Sequence, residues 1–214
     1  MNIAILGGTG KEGAGLGVRW ALAGHGIIVG SRDAERAKAK AVELRELTRE
    51  LTIVGHTNAE AADLGEVVVV ALPADGLATT LPPLADACRE KIVISTVVAL
   101  DFKGPRLFTP PPAGSSAEEV RALLPGARVV AAFQHIAAHE LADLEQTIDC
   151  DLLICGDDAA AKQVVTDLGV SMSLRGLDAG PLANAGPLEG ITALLATINR
   201  RYKKKSAGIR ITGL

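Results

Sequence analysis

The chain has 214 residues, 48% of them hydrophobic but only 2% aromatic, so it can bury a sizeable aliphatic core yet offers few rings for stacking nucleic-acid bases. Its net charge of −3 gives no electrostatic footprint for nucleic acid or an anionic membrane. No apolar run reaches the ~18–20 residues that a membrane helix needs.

The N-terminus opens directly on a strand, Asn2–Leu6 (NIAIL), which runs into Gly7. A helix is expected over Lys11–Ala23, ended by Gly24, then a second strand over His25–Gly30. Ser31 is the expected N-cap of a charged helix from Asp33 to about Glu50. A third strand is placed at Leu51–His56, and a short helical turn opens at Asn58. Val67–Leu72 (VVVVAL) is an unbroken, mostly β-branched run, the pattern of a strand covered on both faces, and Pro73 stops it. A helix over Leu77–Arg89 and a strand over Lys91–Ser95 follow. From Thr96 to Ser116 the pattern breaks into a long segment rich in Pro and Gly, placed after a strand's carboxyl end, where open α/β sheets bind ligands. Helix resumes at Ala117–Leu124, then strand at Ala127–Phe133 and Asp151–Gly156, then helices at Ala159–Leu168 and from about Pro187 to Lys204.

Strands alternating with helices at this spacing predict an α/β fold, a doubly wound, mostly parallel sheet of Rossmann type. Residues 1–137 are expected to form the dinucleotide-binding domain, and residues 138–214 a small C-terminal α/β lobe. Cys88, Cys150 and Cys155 are odd in number and lack C-x-x-C spacing, so neither a disulfide framework nor a zinc site is expected. A cytoplasmic protein without metal, nucleic-acid or membrane partners is the expectation.

Gly8-Thr9-Gly10-Lys11-Glu12-Gly13 satisfies G-x-G-x-x-G and sits between a buried strand and a helix, the context that makes the motif a dinucleotide signal. Gly8 is expected to make the tight turn and Gly10 to let the backbone approach the pyrophosphate. Gly13 would let helix and strand pack closely, with the helix N-terminus facing the phosphates. An NAD-binding version places an acidic residue after the second strand. Here Gly30-Ser31-Arg32, with Arg36 a turn later, suits the 2′-phosphate of NADP(H) through fork-shaped, charge-assisted hydrogen bonds, although Asp33 follows directly. Leu72 and Pro73, at the end of the fourth strand, are counted with the cofactor-binding residues. His135, after strand six, is the candidate catalytic residue; the residues alone leave open whether it donates a proton or only positions its neighbours. No G-x-S-x-G elbow is present; an enzyme that only moves a hydride between two cofactors would need shape and orientation more than an acid–base apparatus.

Several longer segments resemble one family, the NADPH-dependent reductases of the 5-deazaflavin coenzyme F420. They are ILGGTGKEGAGL, VGSRDAERA, REKIVIS, ICGDD, LDAGPLANAGPLEGITALLATINR and the closing GIRITGL, and together they span nearly the whole chain. The resemblance implies a homodimer that moves hydride directly between NADP(H) and the deazaflavin, with no metal and no covalent intermediate, and whose C-terminal lobe, residues 138–214, completes the substrate cleft and supplies the dimer contact. It puts Thr9, Ser31, Arg32 and Arg36 on NADP positions. It lines the deazaflavin side with Val97, Val98, Gln134, Ile136 and the tail around Ala207 and Gly208. Some relatives carry His where this chain has Gln134, with His135 displaced by one, and Lys where it has Arg36. The alternatives are an NADPH-dependent flavin or ferric-type reductase and a non-catalytic NADP(H)-binding sensor. A sensor needs only the nucleotide groove, so a second ligand cavity separates the readings.

Overall fold

The computed structural model describes residues 1–48, 52–104 and 106–214. Among these residues eight strands form one sheet: β1 (Asn2–Leu6), β2 (Gly26–Ser31), β3 (Ile53–Thr57), β4 (Val67–Val70), β5 (Ile92–Ser95), β6 (Arg128–Ala131), β7 (Asp151–Gly156) and β8 (Arg175–Asp178). Their order is β3-β2-β1-β4-β5-β6-β7-β8. Every pairing is parallel except β6 with β7, which run antiparallel through Ala131 opposite Cys155. The chain winds outward from β1 to β3 and returns to β4 on the other side of β1, so the order reverses between β1 and β4. Ligands of open α/β sheets bind at the strand carboxyl ends beside such a reversal.

Helices cover both faces: α1 (Lys11–Leu22), α2 (Ala34–Thr48), α3 (Asn58–Leu64), α4 (Leu77–Thr80), α5 (Ala85–Cys88), α6 (Ser116–Leu123), α7 (Ala138–Ala142), α8 (Ala159–Val170) and α9 (Ala185–Tyr202). Side chains alternate along each strand, so β1 sends Ile3 and Ile5 into one apolar layer and Ala4 and Leu6 into the other. The first layer also holds Trp20, Ile94, Phe133 and Leu152; the second holds Val68, Val93, Val120 and Leu188. Residues beyond 137 thus join both layers and extend the same sheet.

Several elements differ from the sequence expectation. The helix expected over Leu77–Arg89 is two short helices, α4 and α5, joined by a 3-10 turn at Pro82–Leu84. Pro82 and Pro83 supply no N–H and crowd the preceding turn, which ends α4. Ser31 ends β2 and does not cap α2. The cap is Asp33, whose Oδ1 accepts the N–H groups of Glu35 at 2.9 Å and Arg36 at 3.3 Å. The expected end of that helix at Glu50 and the expected strand start at Leu51 lie outside the described residues. β6 stops at Ala131 because Phe133 takes a left-handed backbone, φ +71°.

Candidate active site

A groove of about 740 Å³ opens at the carboxyl ends of β1, β4 and β5. Thr9, Gly10, Lys11, Glu12 and Gly13 line it together with Ser31, Arg32, Arg36, Leu72, Pro73, Val97 and Val98. The glycine loop is shaped by close approach. Gly7, with φ +79°, makes the turn expected of Gly8, because a Cβ there would lie 2.5 Å from the Ala71 carbonyl oxygen. Gly8 is buried and outside the groove lining, directed at β1. At Gly13 a Cβ would meet Gly8 Cα at 2.9 Å, so only glycine lets α1 sit this near the loop.

The start of α1 supplies the donors. Its N-cap, Gly10, makes no side-chain cap, whereas Thr57, Ser115 and Asp158 cap α3, α6 and α8. The first N–H groups of α1 are therefore left for a ligand in the groove, and the helix dipole favours an anion there. This donor set fits a dinucleotide pyrophosphate. Asn58, which sequence reasoning missed, braces the loop by accepting the Gly7 N–H at 3.4 Å. Its place after β3 beside a capping residue was the available signal.

Arg32 and Arg36 are exposed along the groove wall, and among the described residues neither pairs with a carboxylate. Asp33 does not oppose them, since its carboxylate is turned to the N-terminus of α2. Two guanidiniums without a carboxylate partner beside the Ser31 hydroxyl fit a phosphate monoester at the ribose.

A second cavity, about 860 Å³, lies on the other side of the start of α1. Gln134, His135, Ile136 and Ala207 line it with Leu100 and Phe102 of the long loop and Thr192, Leu195 and Ala196 of α9. The two cavities share Lys11 and Glu12. The expected substrate residues thus divide: Val97 and Val98 border the groove, Gln134, Ile136 and Ala207 the second cavity, and Gly208 neither. A Cβ on Gly208 would sit 3.1 Å from the Asp149 carbonyl oxygen, so that residue rests on the start of β7.

The left-handed turn at Phe133, held edge-on to Trp20 with ring centroids 5.3 Å apart, brings Gln134 to the cavity. The amide nitrogen and oxygen of Gln134 are buried and have no partner among the described residues. An orphaned buried amide is costly, and a ligand with both donor and acceptor groups would satisfy it. His135 is buried, with Nε2 lying 2.9 Å from the Asp151 main-chain oxygen and 3.3 Å from the Leu153 nitrogen. Burial pushes its pKa down, which favours the neutral imidazole.

The far wall is α7, which has no strong sequence pattern and is placed by α1. Arg19 donates to the main-chain oxygens of Glu140, Leu141, Asp143 and Gln146, and Gly15 leaves room for Leu141, whose Cβ a methyl group would meet at 2.6 Å. The C-terminal tail is tied down by Asp151, whose N–H donates to the Ile209 oxygen and whose carboxylate accepts from Arg175 and the Ile211 N–H. Among the described residues no group of three or more His, Cys, Asp or Glu side chains is placed to hold a metal ion. No helix among them is long and apolar enough to cross a membrane.

The family model described as NADP oxidoreductase, coenzyme F420-dependent, matches residues 2–99. The F420-dependent NADP reductase of Methanocaldococcus jannaschii is 42% identical over 223 aligned positions, covering 100% of this chain and 99% of that protein. The F420-dependent NADP reductase of Methanothermobacter marburgensis is 39% identical over 222 positions with the same coverage. Among solved structures, a putative F420-dependent NADP reductase from Arthrobacter sp. FB24 shares the fold, with a TM-score of 0.85 at 24% identity over 99% of each chain. With its glycine loop, its paired arginines and full-length relatives at about 40% identity, the chain belongs to the F420-dependent NADP oxidoreductase family.

Proposed function

We propose that the chain is an NADPH-dependent F420 reductase that moves a hydride directly between NADP(H) in the groove and the deazaflavin F420 in the second cavity. The observation that carries this reading is that the two cavities share Lys11 and Glu12 in their walls. When bound, the nicotinamide and deazaflavin rings supply the hydride chemistry. The protein's residues bind, orient and exclude water, which is most of what direct transfer asks of them.

In this reading Gly8, Gly10 and Gly13 shape the loop, while Thr9, Lys11 and the start of α1 hold the pyrophosphate. Ser31, Arg32 and Arg36 hold the 2′-phosphate, and Leu72, Pro73, Val97 and Val98 border the nicotinamide end. Gln134 meets the polar edge of the deazaflavin, with Ile136, Ala207 and Gly208 as its apolar surround and support. His135 is read as a positioning residue, because its Nε2 is taken up by the main chain of β7, while its buried Nδ1 has no partner among the described residues.

Residues 138–214 act as a small lobe in function, supplying α7, α9 and the tail as walls of the second cavity. The enzyme is taken as a cytoplasmic homodimer with small-molecule partners. Three unpaired buried cysteines support a reducing compartment. Leu194, Ile198 and Tyr202 stand exposed at four-residue spacing on α9, an apolar stripe suited to a second copy.

The test is spectrophotometric. NADPH mixed with oxidised F420 and the protein should bleach the deazaflavin's visible absorbance, while NADH, FMN and FAD should not substitute. NADPH bound without bleaching would contradict the reading.

A further inference from the structure

Glu12 is the residue the hydride reading leaves without a task. It lies in the first turn of α1, where an anionic ligand is expected, and lines both cavities. Its Oε1 is buried and has no hydrogen-bond partner among the described residues. No ion pair forms with it among the described residues, although Lys11 is its chain neighbour. The side chain as a whole is half-buried, but a carboxylate oxygen buried with neither cation nor donor is costlier than the neutral acid.

The Thr96 hydroxyl beside it would hold the charged form if it donated, but that hydroxyl gives its hydrogen to the Val70 main-chain oxygen at 3.2 Å. Toward Glu12 it is left as an acceptor, which suits a carboxylic O–H. We propose that Glu12 is a proton-carrying positioning residue: at the junction of the cavities it holds its proton more tightly when NADP(H) is bound, and so couples binding to proton uptake.

Burial pushes the Glu12 carboxyl up to about 8 in the free protein. A dinucleotide pyrophosphate at the start of α1 adds negative charge nearby and raises it further, so binding draws in a proton wherever free Glu12 is ionised. Other charged groups around the cavities do not cancel this. Lys40 of α2 is paired with Glu43, and His135 is held neutral by burial. His139 and Lys205 border the second cavity, and Arg32, Arg36 and Asp75 the groove, without an ion pair to Glu12.

The proposal rests on the NADP(H) reading of the groove and not on the identity of the hydride partner. Its test is calorimetry of NADP+ binding to the intact protein, in pairs of buffers of different protonation enthalpy, from about pH 7 to 9.5. Expected is an uptake that rises toward one proton above about pH 8, with Kd weakening up to about tenfold per pH unit. Glu12→Gln should lose that uptake and flatten the Kd profile, and Glu12→Met should do the same. Titration of the nucleotide's own phosphate falls below this window and is common to all three proteins. Equal uptake in wild type and Glu12→Gln, or none in wild type, would overturn the proposal. Absence of NADP+ binding at every pH would overturn the groove assignment and the proposal together.

Discussion

His135 and Asp151 face each other across the junction of β6 and β7, with the histidine Nε2 lying 2.9 Å from the aspartate's main-chain oxygen. The same Asp151 accepts Ile211 and donates to Ile209, so one residue joins the cavity wall to the C-terminal tail. His135→Ala should therefore lower stability by about 1–3 kcal/mol in thermal or urea unfolding, the cost of stranding a buried polar group. The pH dependence of kcat should keep its shape. A lost or displaced acidic limb would instead assign His135 the proton-donor role.

Burial lowers the His135 pKa, so in acid the unfolded chain binds the proton more readily. This contribution to stability is therefore present above about pH 6.5 and is lost as the pH falls below that value. His25 is lowered by burial too and adds in the same direction. Melting temperatures of wild type and His135→Gln should converge as the solution is acidified below about pH 6.5.

Arg32 and Arg36 should discriminate between the nucleotides. Losing one charge-assisted contact costs roughly 1.5–3 kcal/mol, about ten- to hundred-fold in affinity. Arg32→Ala should weaken NADPH binding by that factor and leave NADH binding nearly unchanged. Equal losses for both nucleotides would remove the 2′-phosphate assignment. These arginines are legible in the sequence because they follow a strand in a βαβ unit at the position where an acidic residue marks NAD. The capping by Asp33 is not legible, since whether a carboxylate faces the groove or its own helix depends on a backbone turn.

The α7 wall depends on contacts more than 120 residues apart in sequence, which no local pattern reveals. Arg19→Ala removes its hydrogen bonds to the segment and should cost ~2 kcal/mol of stability. The expected kinetic result is a raised KM for the deazaflavin with NADP+ affinity unchanged, because α7 borders only the second cavity. Loss of NADP+ affinity alongside it would show that Arg19 supports the whole glycine loop. The antiparallel turn into β7 is equally hidden: DLLICG reads as a buried strand in either direction. β8 is half-exposed and only four residues long, too little for a periodic signal.

Glu189 on α9 is buried and accepts the Ser116 hydroxyl at 3.1 Å and the Ala117 N–H at 3.3 Å, capping α6 from a distant helix. Burial raises its pKa to about 7, so the folded protein holds this proton more tightly than the unfolded chain. That contribution is fully present below about pH 4.5 and is lost as the pH rises through about 7. Glu189→Gln should flatten this decline in unfolding experiments. Glu189→Ala should cost about 1–3 kcal/mol by leaving the α6 donors unpaired.

Isotope transfer distinguishes direct exchange between ligands in the two cavities from exchange through solvent. NADPH stereospecifically deuterated at the transferring C4 position would be oxidised by F420 in ordinary water, and the reduced deazaflavin analysed by mass spectrometry. Direct transfer places one deuterium on each reduced deazaflavin for one of the two C4 epimers and none for the other. Deuterium released to solvent from both epimers, with unlabelled product, would contradict direct transfer across the junction at Lys11 and Glu12.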